Sequence, residues 1–369
     1  MKRVLTITGT LNYGGVERLL VDAAKALKEK GHYEPIICNL GQESELEAEL
    51  AAAKIQCFNL AKEAPGKNII KTLKTVRKII KEVRPDIIHT HQFASDFYGS
   101  LAAIGLKIPV VSHLHNPQAE SRSRQIMRFF LTIGLTDAFI ASSEEKEVAM
   151  RKWAPWAKTF VLHNAIDEKN LLLPAGFERE KFRQTFGLSA QSLVVGAVGR
   201  LSPEKGFDIL LESFEKITTK KPETFLMIVG SGPEEKNLKA LAVKLEISDK
   251  VIFTGYRRDI AAIMSLFDLM AVSSRTESFC LAALEAMFVG TPIIITDRLS
   301  TKDIFAPAAA IVPLSPESLS VKILELLDNN QERIAMAGRG KKLVKENFMM
   351  ETYVLKSERI YEEITKNKK

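Results

Sequence analysis

The 369-residue chain is short of cysteine and has no long apolar run, and each shortage removes a class of protein. Its three cysteines, Cys38, Cys57 and Cys280, are odd in number, far apart and without CxxC or Cys/His metal spacing. That excludes a disulfide scaffold and predicts three reduced, mostly buried thiols. Lys2-Arg3 precedes only Val4–Thr8 before polar Asn12 and Gly14-Gly15, too little for a signal-peptide core. The most apolar long window, Phe129–Ala141, contains Asp137 and falls short of the ~20 residues a membrane span needs. The expected location is therefore cytoplasmic. No RNP, helix-turn-helix or zinc-finger pattern occurs, so nucleic acid is not an expected partner. Neither an Asp-x-Asp triplet nor a His/carboxylate cluster at metal spacing is present, so no metal is expected.

What remains is a globular composition, 46% hydrophobic and 26% charged, at a length suited to two domains of roughly 150–200 residues. Fifty-two Lys and Arg stand against 45 Asp and Glu, a net charge of +7 that points to an anionic partner without naming it.

Short β-rich runs alternate with helix-period segments, the pattern of βαβ units around parallel sheets. In the first half, strands are expected at Val4–Thr8, Pro35–Asn39, Ile87–Thr90, Pro109–His113, Ala138–Ala141 and Phe160–Leu162. Helices are expected at Val16–Leu27, Asn68–Val83, Ala94–Ile104, Ser123–Gly134 and Glu144–Lys152. The stretch Asp167–Ser189, with Pro174, Gly176 and Gly187, interrupts the alternation as a linker plus a short helix. Alternation then restarts, with strands near Leu193–Val198, Thr224–Val229, Lys250–Phe253, Leu269–Val272, Pro292–Ile295 and Ala309–Val312. The prediction is two Rossmann-like, doubly wound α/β domains facing a central cleft. One comprises residues 1–170 plus 350–369, with Phe348–Lys369 crossing back as a helix; the other comprises residues 171–349.

Three segments carry chemistry. In Gly9-Thr-Leu-Asn-Tyr-Gly14-Gly15-Val-Glu17-Arg18, adjacent glycines let backbone approach a ligand beside a helix N-terminus, although a plain turn would use them too. Gly199-Arg200-Leu-Ser-Pro203-Glu-Lys205-Gly206 occupies the equivalent turn of the second half. There the Arg200 fork can grip two phosphate oxygens while Lys205 adds a point charge. Glu277 and Glu285 form a Glu-x7-Glu pair, the first in a loop and the second one turn into a helix among Leu281, Ala283, Leu284, Ala286 and Met287. A carboxylate in such surroundings is not expected to be merely solvated.

Together with Pro85-Asp-Ile-Ile-His89-Thr-His91, Pro109-Val-Val-Ser-His113-Leu-His115, His163-Asn164-Ala-Ile-Asp167 and Gly230-Ser-Gly232-Pro-Glu234, these segments stand in one order along the chain. In that order they resemble a retaining nucleotide-sugar glycosyltransferase of family 4, with the GT-B fold. The resemblance implies that Arg200 and Lys205 hold the donor diphosphate, that Glu285 takes the ribose hydroxyls and that Glu277 takes those of the transferred sugar. It implies that backbone N–H groups of Ser278, Phe279 and Cys280 face the phosphates or sugar. His115 would reach the sugar near its reacting end, Gly14 and Gly15 would approach diphosphate or acceptor, and Gly230 would lie at the donor. Tyr256 and Arg257 would contact the base. Catalysis would rest on His115, Glu277, Arg200 and Lys205, without metal or other cofactor. Departures from the family pattern are Ser278, Cys280 and Ala165 where glycine is usual, and Arg298–Asp303 after Thr296-Asp297.

The expected reaction moves a sugar from a UDP- or GDP-sugar to a lipid-linked or saccharide acceptor in surface polysaccharide assembly. The rivals are a non-catalytic sugar-nucleotide-binding or scaffold protein of the same fold and a GT-B sugar-nucleotide epimerase.

The charge is unevenly spread. Residues 1–170 carry 24 Lys and Arg against 19 Asp and Glu, and Lys62–Arg84 alone holds eight cations and two anions. Ile69, Ile70, Leu73, Val76, Ile80 and Val83 form an apolar stripe along the same helix. Either the stripe packs on its own sheet and the cations face solvent, or the basic face from Lys67 to Arg84 lies on anionic lipid. Arg122, Arg124 and Arg128, beside Phe129-Phe130, would extend that patch and make the protein peripheral on the inner face of the membrane.

Overall fold

A computed structural model of the protein describes residues 1–12, 14–42, 44–63, 68–115, 133–277 and 279–366. The chain divides into two units, Met1–Ala165 with Met350–Lys369, and Ile166–Met349. The boundary lies at Ala165/Ile166, where the sequence reading set it at 170/171.

In the first unit the strands are β1 (Lys2–Thr8), β2 (Tyr33–Asn39), β3 (Gln56–Asn59), β4 (Ile87–His91), β5 (Val110–Leu114), β6 (Ala138–Ala141) and β7 (Lys158–Val161). They form one parallel sheet in the order β3-β2-β1-β4-β5-β6-β7. Period-2 alternation divides the core between its two faces. Leu5, Ile7, Ile36 and Cys38 join Val76, Ile79 and Ile80 of helix Ile69–Val83 on one side. Ile37 meets Leu20, Val21, Leu46 and Leu50 on the other.

The second unit repeats the plan. Its strands β8 (Leu193–Val198), β9 (Thr224–Val229), β10 (Val251–Gly255), β11 (Leu269–Val272), β12 (Ile293–Thr296) and β13 (Ala309–Val312) run in the order β10-β9-β8-β11-β12-β13. Val195 and Ala197 pack with Leu210, Leu211 and Phe214 of helix Phe207–Lys220. Val194, on the opposite face, joins Phe279, Leu284 and Met287. The expected linker contains a helical turn, Glu168–Leu171, capped where the Asp167 carboxylate accepts from the Lys169 N–H at 3.0 Å, and a short helix, Arg179–Gln184.

Among the described residues, one strand and three α-helices escaped the sequence reading: β3, and the helices Glu45–Ala52, Leu60–Glu63 and Lys302–Phe305. Residues 123–132 of the expected helix Ser123–Gly134 lie outside the described residues, as do Arg122, Arg124, Arg128, Phe129, Phe130 and Ser278. The apolar stripe of helix Ile69–Val83 divides along its length: Val76, Ile80 and Val83 are buried, while Ile69 and Ile70 are 53% and 65% exposed. All three cysteines are free thiols, Cys38 and Cys280 buried and Cys57 half-buried. Among the described residues, no helix is long and apolar enough to cross a membrane.

Helix Met350–Lys366 completes the first unit with buried Tyr353, Val354, Ile360, Tyr361 and Ile364. Lys158 pairs with Glu363 at 2.7 Å, and the Tyr361 hydroxyl lies 2.8 Å from His89 Nδ1. Both partners of that last bond are buried, so removing one leaves the other unpaired. Tyr361→Phe is expected to lower the urea-denaturation free energy by about 1–3 kcal/mol; an unchanged midpoint would show that the bond holds nothing.

Candidate functional site

In an open parallel sheet every strand's C-terminal end lies on one edge, and ligands settle where the winding reverses. In the second unit that reversal falls between β8 and β11. The loops leaving these strands carry Gly199–Gly206 and Ser273–Cys280, and the Lys205 ammonium donates to the Glu277 carboxylate between them. The two residues are 72 positions apart in sequence, and each side chain is largely shielded from solvent. Burial pulls the Lys205 pKa down, but Glu277, together with Cys280 and Glu204, outweighs it and holds the ammonium above its ordinary 10.5.

Glycine lets these loops meet. Gly206 adopts φ +63°, and a Cβ there would stand 2.1 Å from the Ser273 carbonyl oxygen. Gly230, at φ +137°, would place a Cβ 1.9 Å from the Gly199 carbonyl oxygen. Backbone bonds knit the same edge: Gly199 N–H donates to the Val229 carbonyl, Gly230 N–H to that of Gly255, and Arg275 N–H to that of Glu204. The Ser273 hydroxyl donates to the Lys205 carbonyl at 3.0 Å.

Every described donor-side residue expected from sequence lies on this edge. Arg200 is exposed beside Lys205. Glu277 is in the loop after β11, its carbonyl accepting from the Ser300 N–H and hydroxyl at 3.3 and 3.1 Å. Glu285 is half-buried one turn into helix Leu281–Val289. The Phe279 side chain belongs to the core, against Phe305 and Phe348. Cys280 caps the helix, its thiol pushed up to about 12 by burial and by Glu277. Tyr256 is 48% exposed after β10, whereas the Arg257 guanidinium is held by Asp259 at 2.5–2.8 Å. Ser273 and Arg275 were missed as parts of the scaffold, whereas Gly206 stands in the turn already singled out and does permit the close approach.

In the first unit the winding reverses between β1 and β4. The glycine loop after β1 lies here. A Cβ on Gly14 would stand 2.3 Å from Glu17 Oε2, so this glycine accommodates a carboxylate that burial holds above the usual carboxylate range. Gly15 opens helix Gly15–Lys30. After β4, Gln92 takes φ +75°, an uncommon conformation for a side-chain-bearing residue, and its amide donates to Glu17 at 3.2 Å. Arg18 is taken up internally, by Asp22 at 3.0 Å and Glu49 at 2.9 Å.

His115 follows β5 directly. Its Nε2 lies 2.8 Å from His91 Nδ1, and its carbonyl accepts from Lys146 Nζ at 2.7 Å. His113 and His115 stand on one face of the chain with ring centroids 4.2 Å apart, so register alone does not choose between them. His115 is the nearer of the two to the C-terminal edge of the sheet. His89, His91 and His113 gather ligand atoms within 4.8 Å of one another, a cluster that linear spacing conceals because its members sit on two neighbouring strands. His32 contacts Glu358 and His163 contacts Glu144, each at 3.1 Å.

Two family models between them match most of the chain: Glycosyltransferase Family 4 over residues 13–170 and Glycosyl transferases group 1 over residues 178–343. An uncharacterized glycosyltransferase of Haemophilus influenzae is 27% identical over 76% of this chain and 76% of its own. A UDP-Gal:alpha-D-GlcNAc-diphosphoundecaprenol alpha-1,3-galactosyltransferase of Escherichia coli is 27% identical over 62% of each. Among solved structures, Anabaena HepE in complex with UDP and glucose superposes with a TM-score of 0.84 at 22% identity, covering 98% of this chain and 100% of that one.

A double-mutant cycle of Lys205→Met and Glu277→Gln, read by urea denaturation, is expected to give a coupling of about 0.5–3 kcal/mol. Because folding raises the Lys205 pKa, the pair's contribution is complete below lysine's ordinary value and is lost only as pH rises through the folded one. The difference between wild type and Lys205→Met should stay level from about pH 6 to 9. A difference that fades toward neutrality would contradict the pairing.

Proposed function

The chain belongs to the family 4 glycosyltransferases with the GT-B fold, and from that premise we propose a retaining enzyme that moves a sugar from a UDP-sugar to a lipid-linked or saccharide acceptor. The observation that carries the reading is the Lys205–Glu277 pair at the switch point of the second sheet, beside exposed Arg200. Two cations at this edge suit a diphosphate, and the adjacent carboxylate suits vicinal sugar hydroxyls. The UDP donor draws support from the Escherichia coli relative's name and from the UDP complex of HepE, and the lipid-linked acceptor from that same relative.

In the proposed step the acceptor oxygen bonds to the anomeric carbon as the bond from that carbon to the phosphate oxygen breaks. The acceptor's proton passes to a phosphate oxygen of the departing diphosphate. Attack and departure on one face retain the configuration. Arg200 and Lys205 neutralise the charge that develops on the leaving group, so the transfer needs no metal in this scheme. Helix Leu281–Val289 adds first-turn N–H groups and the positive end of its dipole. Glu277 orients the sugar, and Lys205 keeps that carboxylate in place before the donor arrives. Glu285 takes the ribose, Gly230 allows close approach, and Tyr256 flanks the base. Arg257, pinned by Asp259, shapes that strip from behind. His115 takes part in the chemical step. Assembly of surface polysaccharide is the setting this chemistry fits.

Association with an anionic membrane completes the proposal. In helix Ile69–Val83, exposed Ile69 and Ile70 adjoin a groove lined by Ile70, Lys71, Lys74, Thr75 and Lys78. Apolar side chains at one end of a lysine row suit insertion beside acidic headgroups.

A UDP-sugar at 100 times its Kd should stabilise the protein by ~2.7 kcal/mol in thermal denaturation, and a GDP-sugar at the same concentration should add less. Arg200→Met and Lys205→Met should each lower kcat/KM by about 10²–10³. His115→Ala should abolish transfer, and near-normal turnover would remove that residue from the mechanism. Donor epimerised without acceptor, or donor bound with neither transfer nor hydrolysis, would favour the rival activities. Separately, combining Lys71→Gln, Lys74→Gln and Lys78→Gln should weaken cosedimentation with anionic vesicles by about 100-fold, at ~1 kcal/mol per lysine. Equal binding to neutral vesicles would end the membrane reading.

A further inference from the structure

Four imidazoles crowd one face of the first sheet, His89 and His91 from β4 with His113 and His115 at β5. Neighbouring ring centroids lie 4.2 Å apart for His89–His91, 5.2 Å for His91–His113 and 4.2 Å for His113–His115. All four are buried, and burial drives their pKa values down, to about 3 for His89 and His115. Burial disfavours the charged ring, and neutral imidazole is the form that ligates metals.

The hydrogen bonding is incomplete in a way that has direction. His89 Nδ1 is engaged by the Tyr361 hydroxyl and His91 Nδ1 by His115 Nε2, each at 2.8 Å. That leaves Nε2 as the nitrogen His89 and His91 can offer. Among the described residues, buried His89 Nε2, both ring nitrogens of His113 and His115 Nδ1 have no hydrogen-bond partner. An unpaired buried polar atom costs about 1–3 kcal/mol, so an apolar core would ordinarily replace these rings. Metal-bound histidines characteristically use one nitrogen on the metal and fix the other with a hydrogen bond, the arrangement His89 and His91 already have.

We propose that His89, His91 and His113, whose ligand atoms converge within 4.8 Å, form a site for a transition-metal dication of the Zn²⁺ class. Three imidazoles with no carboxylate disfavour Mg²⁺ and Ca²⁺, which take oxygen ligands, and suit Zn²⁺. The site lies wholly within the first unit, and its metal would touch no substrate in the proposed transfer. It does reach His115. With the metal on His91 Nε2, His91 Nδ1 must carry hydrogen and donate to His115 Nε2, which places the His115 proton on Nδ1. Tyr361 is then a positioning residue: it orients His89 from helix Met350–Lys366.

The test uses the full chain, stripped with a chelator and titrated with Zn²⁺ against a chromophoric competitor. One equivalent should bind, and X-ray absorption of that complex should show imidazole nitrogens at about 2.0 Å. His113→Leu removes only unpartnered nitrogens, so the metal-free variant should be at least as stable as wild type yet lose the Zn²⁺. Tyr361→Phe should weaken affinity about 10–100-fold. The double variant of histidines outside the cluster, His32→Ala with His163→Ala, should bind as wild type does. No stoichiometric binding, full binding by His113→Leu, loss in the His32/His163 variant, or an oxygen-only coordination shell would each overturn the proposal. Should His113→Leu fail to fold, the wild-type absorption spectrum and Tyr361→Phe decide it.

Discussion

The architecture follows from one constraint on parallel β-structure. Each strand must be joined to the next by a crossover over a sheet face, so all the strand C-terminal ends emerge on one edge. Where the strand order reverses, neighbouring strands send their crossovers to opposite faces, and their loops part. In the second unit this happens between β8 and β11, and the Lys205–Glu277 pair spans the parting. In the first it happens between β1 and β4, where Gly14, Glu17 and Gln92 meet. Neither group of residues is contiguous in the chain. Sheet winding brings each together.

This explains what the sequence made legible. Strands of the second unit are largely apolar on both faces and bounded by glycine, proline or short polar residues, so β8, β9, β11 and β13 were read with their observed bounds. β3 was missed because it lies at a sheet edge, and its residues Gln56-Cys57-Phe58-Asn59 show no buried alternation. The stripe on helix Ile69–Val83 was read as continuous, yet only its later turns reach the core. Periodicity reports which face is apolar and not how far the neighbouring sheet extends beneath it.

Functional residues divided in the same manner. Arg200, Lys205, Glu277 and Glu285 announced themselves by residue type within short segments. That Lys205 bonds Glu277 was not legible, because 72 residues separate them and nothing local requires the contact. The histidines were visible as two His-x-His pairs, but their convergence depends on β4 and β5 being neighbours in register, His91 opposite His113. Linear metal-site spacing describes one helix or one hairpin and misses a site laid across parallel strands.

The return of residues 350–366 to the first unit bears on how the protein is made. Translation produces the first sheet early, but Tyr361, Glu363 and the rest of that helix emerge only after the whole second unit. Until then the face holding His89 and Tyr33 is covered only in part, by helix Gly15–Lys30. The second unit, contiguous in sequence, can close while the first waits for its final helix, so order of synthesis and order of completion are reversed. During that interval the nascent chain exposes apolar surface of the kind chaperones recognise, which gives selection on this segment a kinetic component distinct from its place in the finished fold.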